Sequence, residues 1–174
     1  EMNKSRRMVS LQARALADAG FLVVQVDLYG CGDSSGDFAD AAWEDWVRDV
    51  VDVSRWALEE GESPLILWGL RAGCLIAAEA VRELDAAAGF IFWQPATLGR
   101  TVLQQFLRLK LAADMQAPGT KGVVDAMRTR LGHGEPVEVA GYTLAPTLAA
   151  GLDRARLDPV TRALPAAWIE VASH

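Results

Sequence analysis

The tightest constraint on this chain lies between residues 64 and 84. Pro64-Leu65-Ile66-Leu67-Trp68 is an apolar run of strand length, Gly69-Leu70-Arg71-Ala72-Gly73 follows at once, and the alanine-rich stretch from Ala72 to Leu84 has a helical pattern. A strand that becomes a helix within five residues needs a sharp turn with small residues on both sides, because the two backbones nearly touch. Such a turn lifts one side chain above the end of the strand, and here that side chain is Arg71. Arginine stays protonated and only donates hydrogen bonds. It cannot attack a carbonyl as serine or cysteine does.

The flanking sequence repeats the strand and helix alternation. Val9 to Ala19 carries an apolar stripe of helical spacing, with Gly20 where a C′ glycine belongs. Phe21 to Val26 reads as a strand covered on both faces, and Asp27 to Asp37 as a loop. Asp40 is placed to cap the next helix, whose stripe is Trp43, Trp46, Val47, Val50, Val53, Ser54 and Ala57, and which Gly61 ends. Gly89 to Trp93 is a third strand, closed by Gln94-Pro95. This alternation predicts a mainly parallel sheet with helices on both faces.

Residues 97 to 156 break the rhythm. Leu98 to Leu111 is amphipathic through Leu103, Phe106, Leu107 and Lys110, Gly119 to Gly134 is glycine-rich and ambiguous, and Gly141 to Leu157 reads as a helix with Pro146 in its first turn. A long helical insertion after a strand predicts a lid serving a site. Ala166 to Val171 would then resume the sheet. The expected organisation is a core over 1–96, a cap over 97–157 and the core continued over 158–174.

Composition removes several functions. One domain of 174 residues with a net charge of −6 does not suit a nucleic-acid or anionic-membrane surface. No apolar run approaches the roughly 20 residues of a membrane span. Cys31 and Cys74 make no disulfide framework and fit no zinc spacing, so the expectation is a cytoplasmic protein with reduced thiols, no metal, no cofactor and a small-molecule ligand. The chain opens on Glu1 and closes just after an apolar run, which reads as a piece of a longer protein or a sheet lacking its outer strands.

Two further segments join the turn: Asp27-Leu28-Tyr29-Gly30-Cys31-Gly32-Asp33-Ser34, directly after the first expected strand, and the opening loop Glu1 to Ser5. The order loop, helix, strand, D-x-Y-G-x-G-x-S, helix, strand, G-x-x-x-G, helix, strand, cap resembles the α/β-hydrolase superfamily, in which the turn is the nucleophile elbow. Met2-Asn3-Lys4-Ser5-Arg6-Arg7, Asp27 to Phe38, and Trp68 to Gly73 look like the exosortase A system-associated hydrolase type 2 branch. That resemblance implies a cytoplasmic ester- or acyl-type hydrolase accompanying bacterial exopolysaccharide and protein-sorting loci. It matches the opening loop to the oxyanion-hole loop, which makes Met2, Asn3 and Ala72 candidate anion-binding residues. It also makes the four strands the fourth to seventh of eight. The catalytic acid and histidine would follow the seventh and eighth. The alternative acid position, after the sixth, reads Trp93-Gln94-Pro95 and holds no carboxylate.

Arg71 therefore has two readings. At a helix N-terminus it could hold a carboxylate or phosphate, or it could pair with an internal carboxylate such as Asp33. Cys74, about one helical turn on, is a candidate displaced nucleophile or a core thiol. Cys31, His133 and His174 have weaker claims as reactive groups. Asp27 and Asp33 suit loop turns. Trp43, Trp46 and Trp56 fit the core stripe, and Trp68 and Trp93 could floor the pocket. Two functions follow: a hydrolase in which Arg71 orients an anionic or acyl substrate, and a non-catalytic protein that anchors an anionic ligand or partner.

Overall fold

The computed structural model describes residues 2–61, 63–113, 122–158 and 164–170. Its helices are α1 (Met2–Asp18), α2 (Trp43–Glu60), α3 (Gly73–Ala80), α4 (Gly99–Ala113), α5 (Val123–Gly132) and α6 (Pro146–Arg154). Its strands are β1 (Leu65–Leu70), β2 (Ala87–Trp93), β3 (Val137–Val139), β4 (Tyr142–Leu144) and β5 (Ala166–Ile169). Strands β1, β2 and β5 form a parallel sheet in that order, and β3 and β4 form a separate antiparallel hairpin. No helix among the described residues is long and apolar enough to cross a membrane.

Strand register sorts the side chains. Leu67 pairs with Phe90 and Gly69 with Phe92, so these four share one face, and all are buried. Helix α3 packs on that face with Cys74, Leu75, Ile76, Ala77, Ala78 and Ala80 buried. Helix α2 packs on α3 through Trp43, Val47, Val51 and Ser54, a stripe of helical spacing. Ile66, Trp68, Ile91, Trp93 and Ile169 share the opposite face, where Ile66 and Ile169 are exposed.

Between β2 and β5, the chain leaves and returns through a narrow neck. Leu98 and Arg156 form an antiparallel bridge, the Gly99 N–H donates to Ala155 (2.9 Å) and the Leu157 N–H donates to Thr97 (2.9 Å). Beyond the neck, α6 packs against α2 at Gly151, where a Cβ would come within 2.1 Å of the Trp43 Cβ. The Trp43 indole N–H donates to Glu79 (2.8 Å), tying α2 to α3 at the same point. Phe38 contacts the rings of Trp46, Phe106 and Tyr142, joining the loop before α2 to α4 and to the hairpin.

Five expectations need correction. Phe21 to Val26 forms no strand: Phe21 and Leu22 are 60% and 63% exposed, and no ladder bonds reach β1. Apolar composition specifies a wish for burial, but a strand exists only through its pairing. The opening segment is helical from Met2 rather than a loop, because Met, Lys and Arg are good helix formers. Helix α2 starts at Ala42 and Trp43 instead of Asp40, and the Asp45 carboxylate takes the Ala42 N–H (3.0 Å). Trp56 lies off the packed stripe and is 48% exposed. Residues 141 to 157 are not one helix: Ala140 (φ 50°) and Gly141 (φ 83°) make the tight turn of the β3–β4 hairpin, and α6 begins only at Pro146.

Gly151→Ala is expected to push α6 off Trp43 and to lower unfolding stability by about 1–3 kcal/mol, measurable by urea denaturation followed by tryptophan fluorescence. A change below experimental error would contradict this packing.

Candidate functional site

The turn at the end of β1 is built by close approach. A Cβ on Gly69 would lie 2.5 Å from the Cys74 Cα, so only glycine lets α3 fold back onto the strand. Arg71 sits at the apex with φ 52°, a left-handed conformation that costs a non-glycine residue about 1–2 kcal/mol. Three backbone bonds hold it there. The Arg71 N–H donates to Trp93 (3.0 Å), and its carbonyl accepts from Cys74 (3.1 Å) and Ala96 (3.2 Å). Gln94, at the end of β2, is also left-handed (φ 47°) and donates to Ile169 (2.7 Å). Two neighbouring strands thus end on strained residues facing the same sheet edge.

The Arg71 side chain is exposed and reaches across to α4, where one Nη donates to Gln105 Oε1 (3.3 Å). Ala72 is the N-cap of α3, and its N–H meets no acceptor among the described residues. Trp93 contributes its carbonyl to the turn, while its half-buried ring lies against Trp68 with centroids 5.7 Å apart. Met2 and Asn3 fall in the first turn of α1, and their side chains lie outside the described residues, as does His174.

Asp33 does not pair with Arg71. Its own N–H is held by the Asp27 carboxylate (3.0 Å), which also faces Arg6 at 3.7 Å, and the Asp33 side chain makes no ion pair among the described residues. The glycine-rich loop is pinned to α2 as well: Asp49 accepts the Tyr29 N–H (2.7 Å), and the Trp46 indole donates to the Tyr29 carbonyl (3.0 Å). Asp27 thus serves the loop's turn through its carboxylate, whereas Asp33 takes part through its backbone N–H.

Cys74 is fully buried, and burial raises its thiol from 9.0 to about 11, against a smaller opposing effect of hydrogen bonds with the backbone at Trp93 and at Cys74 itself. At neutral pH the thiolate fraction is negligible, which removes the nucleophile. Burial also raises Cys31, and the negative charges of Asp27 and Asp49 add to it. His133 ends α5 in an exposed position. Among the described residues no group of His, Cys, Asp and Glu could hold a metal ion. A polar recess of about 180 Å³ lined by Trp43, Glu79, Arg82, Arg154 and Arg156 lies at the opposite end of α3 from Arg71. Sequence reasoning missed Gln105, because a single polar residue on an exposed helix face carries no pattern.

The family model described as serine aminopeptidase, S33 (Hydrolase_4) matches residues 2–130. The chain belongs to that family. No curated protein matches it. Two solved structures share the fold. One comes from work on LipS and LipT, two metagenome-derived lipolytic enzymes, with TM-score 0.52 and 22% identity over 83% of this chain and 56% of the other. The second is the α/β hydrolase GrgF from Penicillium sp. sh18, with TM-score 0.53 and 18% identity over 90% of this chain and 63% of the other. The S33-family chain therefore has an α/β-hydrolase fold and spans less than two thirds of the length of these two structures.

Gly69→Ala is expected to cost more than about 2 kcal/mol or to abolish soluble expression. Gly73→Ala, which meets nothing within 4 Å in the first turn of α3, should be neutral or stabilising by up to about 1 kcal/mol. Thermal denaturation of the two variants checks the elbow geometry. Cys74 is expected to resist iodoacetamide in the native protein at pH 8 and to react on unfolding. Its native reactivity should rise only as pH approaches 11, because the folded state favours the neutral thiol. Peptide mapping of the alkylated protein reads this directly.

Proposed function

We propose that this S33-family chain uses its elbow to bind an anionic group rather than to attack a carbonyl. The observation that carries the reading is Arg71 itself: a strained, multiply held backbone presents a permanently charged donor at the N-terminal end of α3, beside the Ala72 N–H, which meets no acceptor among the described residues. Backbone N–H groups and the helix dipole favour negative charge there. A cation by itself is mildly disfavoured at a helix N-terminus, and negative charge beside it reverses the sign. The raised thiol of Cys74 supports the same reading, since it leaves the elbow without a substitute nucleophile.

In this reading residues 97–157 form a cap over the sheet edge, with Arg71, Ala72 and the Trp93 region below it and Met2 and Asn3 from the opening segment beside it. The ligand is a small anionic or acyl molecule, and the protein works in the cytoplasm. A second reading, an ester- or acyl-type hydrolase of exopolysaccharide and exosortase loci with Arg71 orienting the substrate, is favoured by family membership and by the resemblance carried by Asp27 to Phe38 and Trp68 to Gly73.

Wild-type protein is expected to leave short-chain nitrophenyl esters unhydrolysed and to escape labelling by a serine-reactive phosphonate. It should show acetate-dependent NMR shifts at residues 71–73 that Arg71→Leu removes. Ester turnover that disappears in Cys74→Ala or His133→Ala would overturn the binding reading in favour of the hydrolase.

A further inference from the structure

We infer that residues 21–26 of one copy of this chain pair with the free edge of β1 in a second copy, and reciprocally, closing a twofold dimer. The inference stands apart from the anion-binding reading. It starts from two strand partners that share a chain and do not meet. β1 ends the sheet, so its side away from β2 carries no ladder among the described residues. Residues 22–26 belong to no helix or turn, and among the described residues their backbone makes no hydrogen bond. The two segments match in length and character: Phe-Leu-Val-Val-Gln-Val against Leu-Ile-Leu-Trp-Gly-Leu. Neither holds a charge or a proline, the devices by which proteins keep a strand edge from pairing with another chain.

Geometry explains why they do not pair within one copy. A Cβ on Gly61, at the end of α2, would lie 3.9 Å from the Leu22 side chain, whereas the Tyr29 backbone is bound to Asp49 and Trp46 nearer the start of α2. Seven residues of extended chain cover about 23 Å, and a helix from 46 to 61 covers about 22 Å. The run therefore lies straight along α2, with no slack to cross to β1. Area argues for a partner of full size. A folded monomer of 18.8 kDa is expected to expose about 8,300 Å², and this chain exposes 11075 Å². The difference, about 2,800 Å² per copy, is enough for a permanent interface, whose partners each bury about 1,000–2,500 Å². Phe21, Leu22, Val24 and Ile66 supply its apolar part, all of them exposed in one copy. A foreign strand on β1 would leave residues 21–26 unpaired. A second copy uses both, because under a twofold axis each contact is made twice.

The test is sedimentation equilibrium of the 174-residue chain from about 1 to 100 µM, with hydrogen-exchange mass spectrometry at both ends of that range. Wild type is expected to reach a plateau at twice 18.8 kDa. Exchange over residues 22–26 and 65–70 should be about tenfold slower or more at the upper concentration. Val24→Lys and Ile66→Lys set a charge in the contact and are each expected to weaken the dimer about 100-fold. Their circular dichroism should match wild type, since both positions are exposed in one copy. Leu109→Lys, on an equally exposed position of α4, should leave the dimer intact. A monomer throughout the range would overturn the second copy as occupant. Mass that climbs without a plateau would overturn the closed twofold contact. A dimer kept by both Val24→Lys and Ile66→Lys, or one in which exchange over residues 22–26 ignores concentration, would overturn the interface named here.

Discussion

The contact between the last residues of β1 and the first of α3 governs the rest of the molecule. With no side chain on Gly69, the α3 backbone sits directly against the strand. This contact places Cys74 in the core, buries nearly every residue of α3 and leaves no length for a relaxed connection. The turn must therefore pass through a left-handed residue. That residue is an arginine whose backbone is gripped by β2 and by the segment leading into α4. Strain persists only where the surroundings over-determine it, and here they come from three separate elements.

The elbow keeps the mechanical features of a reactive turn while holding a group without a lone pair to offer. Placing a cation where the helix dipole already presents positive charge is unfavourable by a few tenths of a kcal/mol up to about 1. The hydrogen bond to Gln105 contributes in the other direction, but both groups are exposed, so its contribution is modest. The Asp27 to Asp37 loop does not compete for Arg71, since Asp27 and Asp49 are occupied by backbone N–H groups of that loop.

Elements whose burial and hydrogen bonding are both local were legible in the sequence. The spacing of the two glycines around Arg71 announced the turn, the stripe containing Trp43, Val47 and Ser54 announced α2, and Gly20 adopts the positive φ (92°) expected just beyond α1. The run Phe21 to Val26 misled because hydrophobicity is a property of residues, whereas pairing is a property of neighbours. The hairpin at Val137 to Leu144 was hidden by its brevity: two three-residue strands alternate too few times to stand out, and Ala140-Gly141 replaces the commoner Asn-Gly turn. At the site, Arg71 and Ala72 were legible from position alone. Gln105 was not, because its partner lies 34 residues away and only the packing of α4 brings them together.

The neck at Leu98 and Arg156 has a topological consequence. Its backbone bonds close the helical insertion on itself, so the points of departure and return are neighbours. The sheet therefore experiences everything between them as if it were a short connection, and β5 can pair with β2 without depending on how the intervening residues are arranged. Insertions of different length or shape could be exchanged at that neck while the parallel sheet and its strained edge stay as they are. The fold thus separates the sheet and its strained edge from the segment whose length can vary.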